Sequence, residues 1–156
     1  ANDGLWHTYF GGNSAVADIG FQGGHAKCTD GLSFVKDSTP ALVPGSGSAW
    51  DSKGVHPVGQ WTKVDSTFYF LYQGFDGYHW RIGVFETDDF ATIYKWPSPV
   101  LELGASGAVD GGTVENPGLL YNAEDGTLDI WYCANNPYGT SAYKICFARA
   151  TGQVAP

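Results

Sequence analysis

The sequence predicts an all-β protein built from recurring four-stranded antiparallel units, about two and a half of which fit in 156 residues. Three observations predict it: short aromatic-rich runs that alternate along the chain, Asp-containing turns between them, and self-similarity at a nearly constant spacing. Aromatics make up 15% of the residues, there are 22 glycines and 8 prolines, and only 15% of residues are charged. That mix suits many short strands joined by tight turns and argues against disorder.

The self-similarity is the strongest signal. Thr29-Asp30-Gly31 answers Thr87-Asp88-Asp89, Pro40-Ala41-Leu42 answers Pro99-Val100-Leu101, Trp50-Asp51 answers Val109-Asp110, and Val55-His56-Pro57 answers Val114-Glu115-Asn116-Pro117, at offsets of 58, 59, 59 and 59. A further register joins Tyr9, Tyr72 and Tyr132, and Ile82-Gly83-Val84-Phe85 answers Ile145-Cys146-Phe147-Ala148. The units are 1–50, 51–109 and 110–156, in a single partial domain.

In the middle unit the strands are expected at Val55 to Val64, Thr67 to Gln73, Trp80 to Glu86 and Ile93 to Leu101. Turns are expected at Asp65-Ser66, Asp76-Gly77 and Asp88-Asp89. In the second strand Phe68, Phe70 and Tyr72 point one way and Tyr69 and Leu71 the other, so both faces of the sheet need cover. Sheets stacked around an axis, as in the blades of a β-propeller, supply it. No segment carries a 3.6-residue period, so almost no helix is expected.

The first unit starts at the turn before its second strand, because Asp3-Gly4 stands where Asp125-Gly126 does, and so lacks its inner strand. In the last, Ala142 to Ala150 gives a third strand and Thr151 to Pro156 is too short and polar for a fourth. The count is three, four and three strands. The chain has neither an initiating Met nor a signal-like leader, and reads as processed or cut from something longer.

Charge and cysteine content narrow the function. The net charge is −8, with scattered acids and no basic stripe, and no apolar run reaches the roughly 18 residues of a span; nucleic acid and membrane are set aside as partners. Cys28, Cys133 and Cys146 form no disulfide framework and no zinc spacing, so no metal or cofactor is expected. Cys133 and Cys146 are expected to face each other across a hairpin at Asn135 to Ala142 as two buried thiols, with a bond between them as the alternative. The compartment stays open, secretion being one option.

The run FYFLYQGFDG, then WRIGVFETDDF, then PVLELG, a Val-Asp turn and VENP, resembles the repeat of the five-bladed β-propeller glycosidases: the arabinofuranosidase and xylosidase, invertase and fructanase, and mannoside phosphorylase groups. The resemblance spans nearly the whole chain. It implies a carbohydrate partner and a pair of carboxylates where inner strands open into a central funnel. Carried over by position, Glu115 is the general acid. His56 holds the matching place in the preceding unit, where the family pattern favours an acid, and the first unit's inner strand is absent.

Beside Glu115 the resemblance implies a polar depression holding His56 and Asn116. Asp51 and Asp110 recur in the repeat and read as turn caps, as do the pairs at Asp30 and Asp88. Trp50 and Trp61 read as core; Trp80 and Trp96 lie outside the strict pattern and are the sugar-stacking candidates. The expected function is a carbohydrate-active propeller module, incomplete or non-catalytic as a single chain. The alternatives are a glycoside hydrolase using Glu115 with a carboxylate from another chain, and a non-enzymatic structural or gene-fragment propeller. Open blade faces at both ends predict a homodimer that closes the propeller, as a six-bladed ring.

Overall fold

A computed structural model describes residues 3–13, 20–136 and 142–150. They form ten strands and, among the described residues, no helix. The first sheet holds β1 (Trp6–Asn13), β2 (Phe21–Cys28) and β3 (Val35–Lys36), and the second β4 (Gly54–Val64), β5 (Thr67–Phe75), β6 (Trp80–Thr87) and β7 (Tyr94–Lys95). The third holds β8 (Thr113–Asn122), β9 (Thr127–Asn135) and β10 (Lys144–Ala150). Each sheet is an antiparallel meander in chain order, three, four and three strands, so these are partial all-β propeller blades.

Alternation in β5 sets the layering. Phe70 and Tyr72 pack with Phe85 against Tyr9 of the first sheet. Leu71 packs with Ile82 and Val84 against Val114, Ile130, Tyr132 and Ala134 of the third. Tyr72, Phe85, Leu71 and Ile82 are fully buried, and burying a side chain of this size stabilises by roughly 1.5–3 kcal/mol. Phe70 and Phe85 stack in parallel, ring centroids 5.0 Å apart.

Asp51 locks the middle sheet. Its buried carboxylate accepts the Gly45 N–H (3.1 Å), the Tyr72 hydroxyl (3.1 Å) and the Lys95 ammonium (2.7 Å), joining the loop before β4 to β5 and β7. Tyr132 donates to Asp110 in the same way at 3.0 Å. Asp30 caps its turn by accepting the Leu32 and Ser33 N–H groups. In the next unit Asp89 does so, from Ala91 and Thr92. Asp88 instead accepts the Thr67 hydroxyl, so the match to Asp30 is Asp89, at the spacing the other pairs share.

The structure corrects four further expectations. β7 covers two residues rather than running from Ile93 to Leu101, because Pro97 and Pro99 lack the N–H a ladder needs; beyond it the pairing continues through the Trp96 N–H to the Val84 carbonyl and a bridge from Ile82 to Leu101. Tyr9 is one residue out of register with Tyr72: it faces the second sheet, and Phe10 takes the equivalent place. A Cβ on Gly24 would meet the Phe10 ring as one on Gly83 would meet the Tyr72 ring. Cys133 pairs with Ile145 and Cys146 with Tyr132, so the two thiols point to opposite faces; both are free and half-buried. Residues 137–141 of that hairpin, and Thr151 to Pro156, lie outside the described residues. Trp61 is an exposed neighbour of Phe68, not core, whereas Trp50 lies over Gly74 and Gly83 as expected.

A side-chain chain crosses the first sheet. Asp3 bonds His7 (3.1 Å), His7 bonds His25 (3.0 Å), and His25 bonds Asp37 (2.7 Å), while the His7 ring stacks on Phe90 at 4.0 Å. The bonds from His7 and His25 hold the Asp3 and Asp37 carboxyls below the usual carboxylate value, and turn amides do the same for Asp30 and Asp89. Depressed carboxyls contribute stability that is complete above the unfolded value, near about pH 4, and is lost as pH falls through the lower folded values. Buried His56 resists a proton that the unfolded chain takes up below about pH 6.5, so the denaturation midpoint is expected to fall modestly from pH 7 to pH 5 and further below pH 4; a midpoint unchanged at pH 2.5 contradicts this.

Candidate functional site

β4 and β8 are the first strands of their sheets and lie beside each other, and each breaks register soon after it starts. The shift falls between Pro57 and Trp61 in β4 and between Glu115 and Gly118 in β8. A bulge bends its strand and re-aims the side chains next to it. His56 pairs with Gln73, the residue after Tyr72, and Glu115 with Cys133, the residue after Tyr132. His56 and Glu115 thus hold equivalent places, as their sequence positions predict.

Gln73 ties the two strands together. It is buried on β5; its Nε2 donates to His56 Nδ1 (3.3 Å) and its Oε1 accepts the Asn116 N–H (2.6 Å). Asn116 sits at φ 52°, a left-handed conformation that Asn tolerates, so the bond from Gln73 clamps a strained bulge. Burial lowers the His56 pKa, which keeps the imidazole neutral at pH 7, with Nδ1 an acceptor and the proton on Nε2. The ring lies directly over Gly11, where a Cβ would strike it.

Glu115 is half-buried, with its Oε1 3.4 Å from the Thr113 hydroxyl. Phe21 meets His56 edge-on at 5.5 Å, Trp80 lies 6.0 Å from Phe21, and Phe75 stacks on Trp80 at 4.7 Å. This gives an aromatic wall beside the neutral His56 donor, with Glu115 and the exposed Asn116 on the neighbouring strand β8. Apolar faces with a few convergent polar groups suit a sugar ring, which is apolar on its faces and hydroxylated at its rim.

Of the residues singled out from sequence, the structure links His56 and the Asn116 backbone through Gln73, with Glu115 next to Asn116 on β8, while Trp80 reaches His56 through Phe21. Trp96 follows the outer strand β7, donates its indole N–H to Glu86 (3.0 Å) and packs on the core beside Tyr69. Sequence reasoning missed Gln73 and Phe21. The signal for Gln73 was a lone polar residue at the end of the run TFYFLYQ, where Tyr132 is followed by Cys133.

Two cavities, of about 350 and 240 Å³, lie elsewhere: one between Thr67 and Tyr94, the other beside Phe10 and Lys36. Neither is the depression expected around Glu115. Among the described residues, the hydrogen bonds and ring contacts of His56, Gln73 and Asn116 bring in no second carboxylate, and no cluster of three or more ligating side chains is set to hold a metal.

No described protein family and no curated protein matches the sequence. Solved structures do. The chain is similar to a family 117 glycoside hydrolase from Zobellia galactanivorans, at 16% identity and TM-score 0.76, covering 99% of this chain and 51% of that one. It is similar to β-1,2-mannobiose phosphorylase from Listeria innocua, at 16% identity and TM-score 0.74, covering 96% and 41%. A thermostable family-43 glycoside hydrolase matches at 15% identity and TM-score 0.73, covering 96% and 51%. The likeness is one of fold, that of partial all-β propeller blades, and the chain spans about half the length of the structures it matches.

Proposed function

We propose that this chain is a carbohydrate-binding part of a glycosidase-like propeller, made of the units 1–50, 51–109 and 110–156, and that it binds sugar at the bulged starts of β4 and β8. The observation that carries the reading is the pair of equivalent bulged positions, His56 and Glu115, whose strands are joined through Gln73. Glu115 accepts sugar hydroxyls, the His56 Nε2–H and the Asn116 amide complete the polar set, and Trp80 with Phe21 offers the apolar wall. Glycoside cleavage needs two carboxylates, and this group holds one, so the chain alone binds and does not turn over.

A second reading is supported by the chain's coverage of half of its structural neighbours. Here Glu115 is the general acid of a hydrolase and the other carboxylate comes from another chain.

Calorimetric titration with a panel of plant and microbial oligosaccharides tests the proposal. Hydrogen bonds to a charged group contribute about 1.5–3 kcal/mol, so Glu115→Gln is expected to weaken binding at least about tenfold. Glu124→Gln, on the exposed β8–β9 turn, is expected to leave it unchanged. Equal losses in both variants, or no binding by the parent chain, would sink the binding reading; release of free sugar by the parent chain would favour the hydrolase.

A further inference from the structure

The outward face of the third sheet is apolar and uncovered. Strand parity places Leu120, Trp131, Ile145 and Phe147 together on the side away from Tyr132. They are 55%, 41%, 82% and 50% exposed. Trp131 and Phe147 lie 5.3 Å apart. Two charged groups beside them neutralise each other: Arg149 binds both Asp129 oxygens, at 2.6 and 2.7 Å, and lies over the Phe147 ring.

What covers such a face is visible one sheet earlier. In the second sheet the corresponding residues Leu71, Ile82 and Val84 are covered by the Tyr132 side of the third sheet. The matching side of the second sheet carries Tyr72 over Gly83, and it is covered by the first sheet. The first sheet presents the same kind of side outward, with Phe10 over Gly24, and Trp6 shares that face at 62% exposure. Among the described residues each chain therefore holds one socket without its cover and one cover without its socket.

We propose that the occupant is a second copy of this chain, the third sheet of each copy packing on the first sheet of the other. The two contacts are related by a two-fold axis and close a ring of six sheets. The proposal goes beyond the sugar reading and stands whether or not that reading does. Each copy carries a net charge of −8, so long-range repulsion opposes an association driven by apolar faces. Added salt screens that repulsion and tightens the dimer, opposite to a charge-paired interface.

Light scattering after size exclusion is expected to give twice the 16.7 kDa chain mass, with a dissociation constant that falls on going from 50 to 500 mM NaCl. Ile145→Glu and Trp6→Glu alter exposed positions on the two different faces. Each alone is expected to give a monomer with the parent's far-ultraviolet dichroism, and mixing the two is expected to restore part of the dimer, since one of the two contacts in the mixed pair is then unmutated. A monomeric parent overturns the proposal. So does a dimer that Trp6→Glu leaves intact, because that pattern means third sheet on third sheet, and so does a failure of the mixed variants to reassociate.

Discussion

Asp51→Ala is expected to destabilise the chain by about 3 kcal/mol, the lower end of the cost of breaking a buried ion pair by removing one partner, since Lys95 is partly exposed and keeps its bond to the Val43 carbonyl. The carboxylate is 2% exposed and holds three donors from three segments. Truncation leaves the Lys95 ammonium beside a low-dielectric cavity, orphans the Tyr72 hydroxyl inside the core, and frees the Gly45 amide. A total stability of about 5–15 kcal/mol is normal for a domain, so a loss of this size is a large share of the total. Asp110→Ala tests the attribution. Asp110 is half-buried and accepts Tyr132, with no lysine bonded to it among the described residues, so its loss is expected to cost about 1 kcal/mol, the worth of an ordinary hydrogen bond. Urea denaturation of both variants gives the comparison; equal losses contradict the account of Asp51 as the lock of the middle sheet.

Gln73→Leu is expected to have the largest effect on the site. Leucine keeps the volume but leaves His56 Nδ1 and the Asn116 N–H without their partner, at about 1–3 kcal/mol for each unsatisfied group. Asn116, held at positive φ by that bond, is then free to relax, and Glu115 moves with the bulge. Sugar affinity is expected to fall more than tenfold, beyond what the loss of stability alone produces at saturating folded protein. Gln73→Glu separates the two bonds. It keeps an acceptor for Asn116 and requires the His56 proton on Nδ1, so it is expected to retain the bulge while removing the free Nε2–H donor. Retained affinity in Gln73→Leu contradicts the role assigned to Gln73.

What the sequence made legible was local or periodic. Alternation in Thr67–Phe75 shows that both faces of the middle sheet are covered, and the Val-His-Pro and Val-Glu-Asn-Pro runs show the equivalence of His56 and Glu115, because each follows the matching valine and precedes a register break, with the proline one residue later in the second run. The register of β1 was not legible: Tyr9 matches Tyr72 by residue type, but parity against β2 decides which face a side chain takes, and it assigns that place to Phe10. The Gln73 clamp joins residues 17 and 43 positions apart. The Asp3, His7, His25 and Asp37 chain draws on three segments. Such polar groups show no period, since each is chosen by a partner that only the folded sheets bring near. Trp96, outside the repeat pattern, packs at the core edge with its indole N–H on Glu86, a placement that no period shows.

The central claim is that sugar binds at the starts of β4 and β8, and the titration proposed for Glu115→Gln tests it most directly when followed residue by residue by amide and imidazole NMR. The account predicts that an oligosaccharide bound by the parent chain shifts the Asn116 amide, the His56 imidazole, the Gln73 side-chain amide and the Trp80 indole together, at one common saturation curve, while Trp96 and the Asp3 to Asp37 chain stay fixed. Shifts gathered at Trp96, at the cavity between Thr67 and Tyr94, or on the outer face of the third sheet, with His56 and Asn116 unmoved, would contradict it.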